Sequence, residues 1–348
     1  MKAFTRTLMS VLLCALLVIG CVFPAAANTD REDRLVDSRD HLLFGALYRA
    51  QGVATDGEYL YFGSNQFVFQ CSNILKTSFA GEAVNINPNA IPFEAKMDQC
   101  FHVGGIDYYD GKVYAGIEDN GYYNPYVAVY DAGTLELLSY KRLPVGVTAD
   151  GEPIENKDDI NYENGDIRMH TDGIPWVAVD AARNVFYTAE WSDADRLNVF
   201  SLEDYSFVGF IELTDKNGEP VVLDRCQGAD VYGNVLYASC DIGSEKPFMA
   251  IDLTSGVMTH LFDRNLGEDA EAEGMCVQTT PDGVFFISQY YTGVKVVVCT
   301  YDVSDLVETA EQAMQPVTLS FTEKLVGILR TVFFGIFNMF SLTLPKAA

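Results

Sequence analysis

The sequence predicts an all-β chain: a β-propeller of four-stranded blades, five in number with six as the alternative, followed by a C-terminal hydrophobic helix. Three observations carry this. A strand–turn–strand unit that opens on glycine recurs along the chain, further strands follow each copy, and the openings are spaced one blade apart. A β-sandwich would lack that four-strand recurrence.

The first copy runs Gln51-Gly52-Val53-Ala54-Thr55-Asp56-Gly57 and continues to Gly63. The second opens Gly104-Gly105-Ile106-Asp107, the third, looser one Gly173-Ile174-Pro175-Trp176, the fourth Gln227-Gly228-Ala229-Asp230, and the fifth Glu273-Gly274-Met275-Cys276. Asp110-Gly111 and Gly233-Asn234 sit at the turns, where two-residue hairpins need positive φ. The strands after them alternate apolar and aromatic residues at period two. Third strands follow at Tyr126–Asp131, Leu197–Ser201, Phe248–Asp252 and Val294–Cys299. An Asp-x-x-Thr/Ser turn then leads to a fourth strand, as after Asp131 and Asp252. Little chain is left for the outer strand of the last blade, so His41–Tyr48 is expected to supply it and close the ring. The propeller is expected to span 41–318.

Both ends differ from this middle. Lys2 and Arg6 precede an apolar run from Leu8 to Phe23 and the small residues Ala25-Ala26-Ala27, the pattern of a secretory signal peptide over 1–27. The competing reading is a lipobox, Val18-Ile19-Gly20-Cys21, that would lipidate Cys21. At the other end 320–345 forms a membrane-associating helix, either spanning or lying in the interface, with Arg330 and Lys346 as polar anchors.

Composition narrows the function. There are 49 acidic residues against 23 basic ones, for a net charge of −26. A chain so acidic repels phosphate backbones, which excludes nucleic acid as a partner. The remaining partners are an envelope ligand or protein, and the membrane through the C-terminal helix. The chain has no Gly-x-Ser-x-Gly, phosphate-binding loop, His-Glu-x-x-His or Rossmann glycine pattern.

Residues just before each inner strand gather at one mouth of a propeller channel. Here these are Gln51, His102, His170, Asp172, Gln227, Glu271 and Glu273, a polar set able to bind a ligand, act as acid and base, or hold a divalent ion. Asp107 and Asp230 share one repeat position, which suggests a structural hydrogen bond. The connection Val145–Thr171 is strongly acidic, and Asp159, Asn161 and Glu163 place oxygens at alternate positions, as a Ca²⁺ loop does. Ca²⁺ or another divalent metal is therefore the candidate cofactor, with a solvated loop over the channel as the alternative. Six cysteines follow the leader. Cys226 and Cys240 are equidistant from the Gly233 turn and are expected to face each other in a disulfide; Cys71 and Cys100 are the second candidate pair.

The stretch His102-Val103-Gly104-Gly105-Ile106-Asp107 and the repeated turns resemble secreted bacterial β-propellers of gluconolactonase, paraoxonase and strictosidine-synthase-like architecture, over roughly residues 41–315. That resemblance implies a metal-dependent lactonase or esterase as the alternative to a binding protein. The lactonases' metal ligands are not matched residue by residue here. A structural adaptor without a small-molecule site is the third possibility.

Overall fold

The computed structural model describes residues 34–66 and 71–307. The expected leader (1–27) and C-terminal helix (320–345) lie outside the described residues. Contacts separate the chain at Ser304, and the propeller lies wholly on the N-terminal side of that boundary.

The ring is closed by pairing its two ends. Strand β1 (Leu35–Leu42) runs antiparallel to the last strand of the fold, with Leu35 opposite Tyr301 and His41 opposite Val296. The closing strand therefore begins six residues earlier than expected from sequence. Leu43, at φ 49°, ends it, and Phe44–Leu47 turn into a short helix, α1. Exposed charges on β1, such as Asp40 paired with Lys295 at 3.1 Å, suit an edge strand that must not recruit another chain.

Five four-stranded antiparallel sheets follow in simple order, which settles the blade number at five. Blade 1 comprises β2 (Val53–Thr55), β3 (Tyr59–Gln66), β4 (Cys71–Ser78) and β5 (Ala83–Asn87). After helix α2 (Phe93–Met97), blade 2 comprises β6 (Cys100–Tyr109), β7 (Lys112–Asp119), β8 (Tyr126–Asp131) and β9 (Leu137–Arg142). The connection after blade 2 is a structured insert, not a solvated loop: β10 (Gly146–Val147) pairs with β11 (Pro153–Ile154) and β12 (Ile167–Arg168). Buried Val145, Val147, Ile154 and Met169 give it an apolar side to pack. Blade 3 comprises β13 (Ala178–Asp180), β14 (Val185–Thr188), β15 (Arg196–Ser201) and β16 (Phe207–Glu212). Blade 4 comprises β17 (Cys226–Tyr232), β18 (Val235–Cys240), β19 (Pro247–Asp252) and β20 (Met258–Asp263). Blade 5 comprises β21 (Glu271–Thr280), β22 (Gly283–Tyr291) and β23 (Lys295–Asp302), with β1 outermost.

Local chemistry sets the turns. Asp110 and Gly111 both have positive φ (48° and 73°), the conformation that joins β6 to β7 without splaying them. Asp131 accepts the N–H groups of Gly133 and Thr134, and Asp252 those of Thr254 and Ser255, so one carboxylate folds each outer hairpin.

At the axis the inner strands approach until their backbones touch. A Cβ on Gly52 would lie 2.6 Å from the Gly104 oxygen, one on Gly105 2.7 Å from the Trp176 Cβ, and one on Gly228 2.5 Å from the Gly274 Cα. The circuit is completed by Gly274, whose Cβ would meet the Val53 nitrogen at 2.7 Å. Hydrogen bonds cross between blades here: Gly274 N–H donates to the Gln51 oxygen at 2.8 Å and Gly105 N–H to the Pro175 oxygen at 2.6 Å. Blade 3 has Pro175-Trp176 where the other blades have glycine, which explains its looser sequence match.

Carboxylates strut neighbouring blades. Asp107 accepts the Val179 N–H of blade 3 and Asp230 the Val277 N–H of blade 5, each at 2.6 Å. Burial pushes the Asp107 carboxyl well above its usual range, with Asp230 adding to the shift, and burial pushes Asp230 up to about 6. Between blades 4 and 5 the fully buried Arg264 lies over the Phe248 ring at 4.3 Å. It donates to Ser239, Ser288 and the Cys240 oxygen, so its desolvated charge is surrounded by acceptors.

The expected disulfides are not present. Cys226 and Cys240 stand opposite each other in register, yet both are buried free thiols. Burial and the neighbouring Cys240 push the Cys226 thiol up, which suppresses the thiolate that oxidation needs. Cys100 is also free and buried, its sulfur 3.4 Å from the Asn124 oxygen; the Cys71 side chain lies outside the described residues.

The glycine contacts make a sharp prediction. Gly274→Ala is expected to lose about 1–3 kcal/mol of unfolding free energy from overpacking. Gly209→Ala, on β16 with open space around the new methyl, is expected to be neutral or slightly stabilising. Urea titration of both variants checks this; equal stability would remove close approach as the reason for glycine.

Candidate functional site

The residues flanking the axial glycines line a cavity of about 520 Å³, to which all five blades contribute. Blade 1 supplies Gln51 and Asn65. Blade 2 supplies Phe101 and His102 from β6, and Glu118 and Asp119 from the end of β7. Asp172, Pro175 and Trp191 come from around blade 3, Gln227 from β17, Glu271 and Glu273 from β21, and Tyr291 from the end of β22.

The centre of the site is a chain of hydrogen bonds between two carboxylates. Glu118 Oε1 lies 2.7 Å from His102 Nδ1, and His102 Nε2 lies 2.6 Å from the Gln51 amide oxygen. The Gln51 amide nitrogen donates to Glu273 Oε1 at 3.4 Å. Glu118 Oε2 also accepts the Ile174 N–H at 2.7 Å, which fixes the carboxylate. With the Gln51 oxygen facing the ring, both ring nitrogens donate and His102 carries a positive charge. With the amide turned, the ring is neutral and Gln51 becomes the donor. Glu118 and Glu273 are thus joined by a continuous hydrogen-bond chain through His102 and Gln51.

Glu273 is almost fully buried, and its Oε2 has no hydrogen-bond partner. Burial, then the charges of Glu271 and Asp241, push its carboxyl well above the usual range. Burial also raises Glu271, which accepts weakly from the Gln227 amide at 3.4 Å. The other two acids of the lining hold loops. Asp119 accepts the Tyr123 N–H, and Asp172 accepts Trp191 N–H, Ser192 N–H and the Ser192 hydroxyl. The nearby cations are already committed: Lys246 pairs with Asp241 at 2.8 Å, and Arg225 pairs with the same carboxylate while lying 4.5 Å over the Trp191 ring. No Lys or Arg is among the lining residues.

Of the residues expected at the mouth, the cavity brings together Gln51, His102, Asp172, Gln227, Glu271 and Glu273. His170 is not among them. It is fully buried beneath the insert, with Nδ1 3.0 Å from the Pro144 oxygen, Nε2 2.5 Å from the Thr188 hydroxyl and its ring stacked on Phe200. Its apparent equivalence to His102 failed because the insert shifts the start of blade 3 to Pro175-Trp176.

The expected Ca²⁺ loop is also not assembled. Asp159 ends one 3-10 turn (Lys157–Asp159) and Glu163 lies in the next (Tyr162–Asn164); both are exposed. The Asn161 side chain caps the second turn by accepting the Glu163 N–H at 3.1 Å. No residue of the insert from Val145 to Thr171 lines the cavity. Among the described residues no group of three or more His, Cys, Asp or Glu is arranged to hold a metal ion.

Sequence reasoning missed Glu118, Asn65, Trp191 and Tyr291, which sit at or just beyond the ends of second strands. A signal existed: aligned by blade, Glu118-Asp119, Glu190-Trp191 and Asp241 form a polar column at that position.

The strand order defines a five-bladed β-propeller, with a polar-lined cavity to which every blade contributes. No protein-family profile and no curated protein sequence matches the chain. Similar solved structures include a GH43_1 enzyme from Xanthomonas citri (13% identity, 78% of this chain and 91% of that one, TM-score 0.44). They also include XC5397 from Xanthomonas campestris, a gluconolactonase (11% identity, 81% and 95%, TM-score 0.38). A chain of the nidogen/laminin complex is similar as well (13% identity, TM-score 0.40); the present chain is covered over 65% and spans 66% of that chain's length. Likeness at this level carries no statement about this chain's activity.

The two histidines should separate experimentally. His170→Ala is expected to cost on the order of 2–4 kcal/mol, from a cavity and lost buried hydrogen bonds, and His102→Ala about 1–2 kcal/mol. Burial holds the His170 pKa down at about 4. Between the unfolded value near 6.5 and that folded value the unfolded chain binds the extra proton, so the His170 contribution is full at neutral pH and is lost as pH falls towards 4. Urea unfolding between pH 4 and 7 checks this; a His170→Ala variant with wild-type stability and pH slope would contradict it.

Proposed function

We propose that the protein is an exported cell-envelope β-propeller that binds a small ligand in the cavity at its channel mouth. The observation that carries this is Glu273. A carboxylate oxygen buried at a cavity wall without a partner is costly, and a ligand that contacts it offsets that cost. A cavity of about 520 Å³ with several aromatic walls and a few convergent polar groups has the size and character of a small-molecule site, which favours a ligand over a purely structural adaptor role. Export and attachment to the membrane are supported by the sequence of 1–27 and 320–345.

The metal-dependent hydrolase alternative fits the residues poorly. His102 has both ring nitrogens engaged, and Glu118 is held by His102 and the Ile174 N–H, so neither is a free ligand.

The test uses protein recovered from the envelope of the producing cell, whose N-terminus is expected at Asn28. In a metabolite panel followed by thermal unfolding, a ligand of the mouth raises Tm by about 2 °C or more. That shift is expected to vanish in Gln227→Trp, which puts a bulky ring on the cavity wall. A shift that survives in Gln227→Trp, or protein that retains residues 1–27 in the cytoplasm, would contradict the proposal.

A further inference from the structure

We propose that the ligand is an organic cation, an alkyl amine or polyamine, whose ammonium group pairs with the free oxygen of Glu273 at the base of the cavity. This rests on the mouth being a ligand site and adds the chemistry of the occupant.

Three features of the cavity converge on it. First, the lining carries five carboxylates and no Lys or Arg, because Arg225 and Lys246 are taken up by Asp241 outside it. An anion would be repelled from such a site and a cation drawn in. Second, two acceptor oxygens of lining residues are buried and unpartnered among the described residues, Glu273 Oε2 and Asn65 Oδ1, while Glu273 Oε1 is already contacted by Gln51. The Asn65 oxygen lacks a donor, and so does Glu273 Oε2 once its carboxyl is ionised. An ammonium supplies up to three N–H donors and a charge-assisted bond. Third, Phe101, Tyr122 and Tyr291 line the same space and offer ring faces and apolar surface to an alkyl chain and its charge. A bare divalent ion is a poor occupant. Ca²⁺ needs six to eight converging oxygens, and among the described residues no group of three or more His, Cys, Asp or Glu is arranged to hold any metal ion, while two of the cavity's acids hold loops.

The proton balance follows. In the empty site burial and neighbouring charge favour the protonated Glu273 carboxyl. An ammonium at Oε2 favours the ionised form, so binding displaces a proton from Glu273 to water. Affinity is then expected to rise with pH through the neutral range while the amine keeps its own proton.

The experiment is isothermal titration of the mature chain with 1,4-diaminobutane, 1,5-diaminopentane and spermidine, with 1,5-pentanediol as the neutral counterpart. One-site amine binding is expected, with no diol heat and tighter binding at pH 8 than at pH 6. Glu273→Gln is expected to weaken the amine at least tenfold, Glu271→Gln about threefold, and Glu152→Gln, an exposed acid of the insert, not at all. If Glu273→Gln does not fold, the Glu271→Gln and Glu152→Gln comparison decides. The proposal is overturned if no amine binds, if the diol binds as well as the diamine, or if Glu152→Gln weakens binding as much as the cavity variants do. A neutral ligand that binds in wild type and fails in Gln227→Trp would sink the cation while leaving the mouth site standing. Amine binding that survives Gln227→Trp would remove both.

Discussion

The contact of inner-strand backbones at the propeller axis is the constraint on which the rest depends. A ring of five blades leaves little room at its centre, and side chains are excluded where the strands meet. Gly52, Gly105, Gly228 and Gly274 satisfy that demand, and two inter-blade hydrogen bonds use the proximity it creates. The same constraint places the site. Gln51, Gln227 and Glu273 each immediately precede an axial glycine, so the chain delivers them to the edge of a closed floor. The mouth is a blind cavity for the same reason that the glycines are glycines.

Burial then gives the acids different tasks. Asp107 and Asp230 spend their oxygens on the N–H groups of neighbouring blades, and Asp119 and Asp172 spend theirs on loops. Such carboxylates hold parts of the fold in place and have little left to offer a ligand. Glu273, which lines the cavity, differs because one oxygen is engaged and the other is buried without a hydrogen-bond partner. A fold that buries an acid in this way stores an unfavourable interaction, and a complementary occupant relieves it. Glu273 is also connected to a second carboxylate, Glu118, by hydrogen bonds through Gln51 and His102.

Much of the ring could be read from turn chemistry and period. Glycine openings, Asp-Gly turns and Asp-x-x-Thr/Ser outer hairpins are local rules, and a local rule repeated five times fixes an architecture. What failed was long-range or positional. His170 looked like His102 because both precede an inner strand, but an insert with its own small sheet pushed the third start forward and buried the imidazole. The alternation of oxygens at Asp159, Asn161 and Glu163 looked like a metal loop, yet Asn161 is spent on capping a 3-10 turn. Opposite register was right for Cys226 and Cys240, but register alone does not make the bond, and both are buried free thiols. Glu118 went unseen because attention to first strands ignores the ends of second strands, which rise to the same mouth.

The most direct measurement of the axial contact is native-state hydrogen exchange at the amides of Gly105 and Gly274. Each donates across a blade boundary, to Pro175 and Gln51. If the inner strands close on one another as described, both amides exchange only through global unfolding and follow the full stability of the domain. The exposed Gly57 amide, bonded only to the Thr55 hydroxyl within its own turn, exchanges many orders of magnitude faster. Exchange of Gly105 and Gly274 at the rate of Gly57 would mean that the axis is open, and the floor of the cavity would go with it.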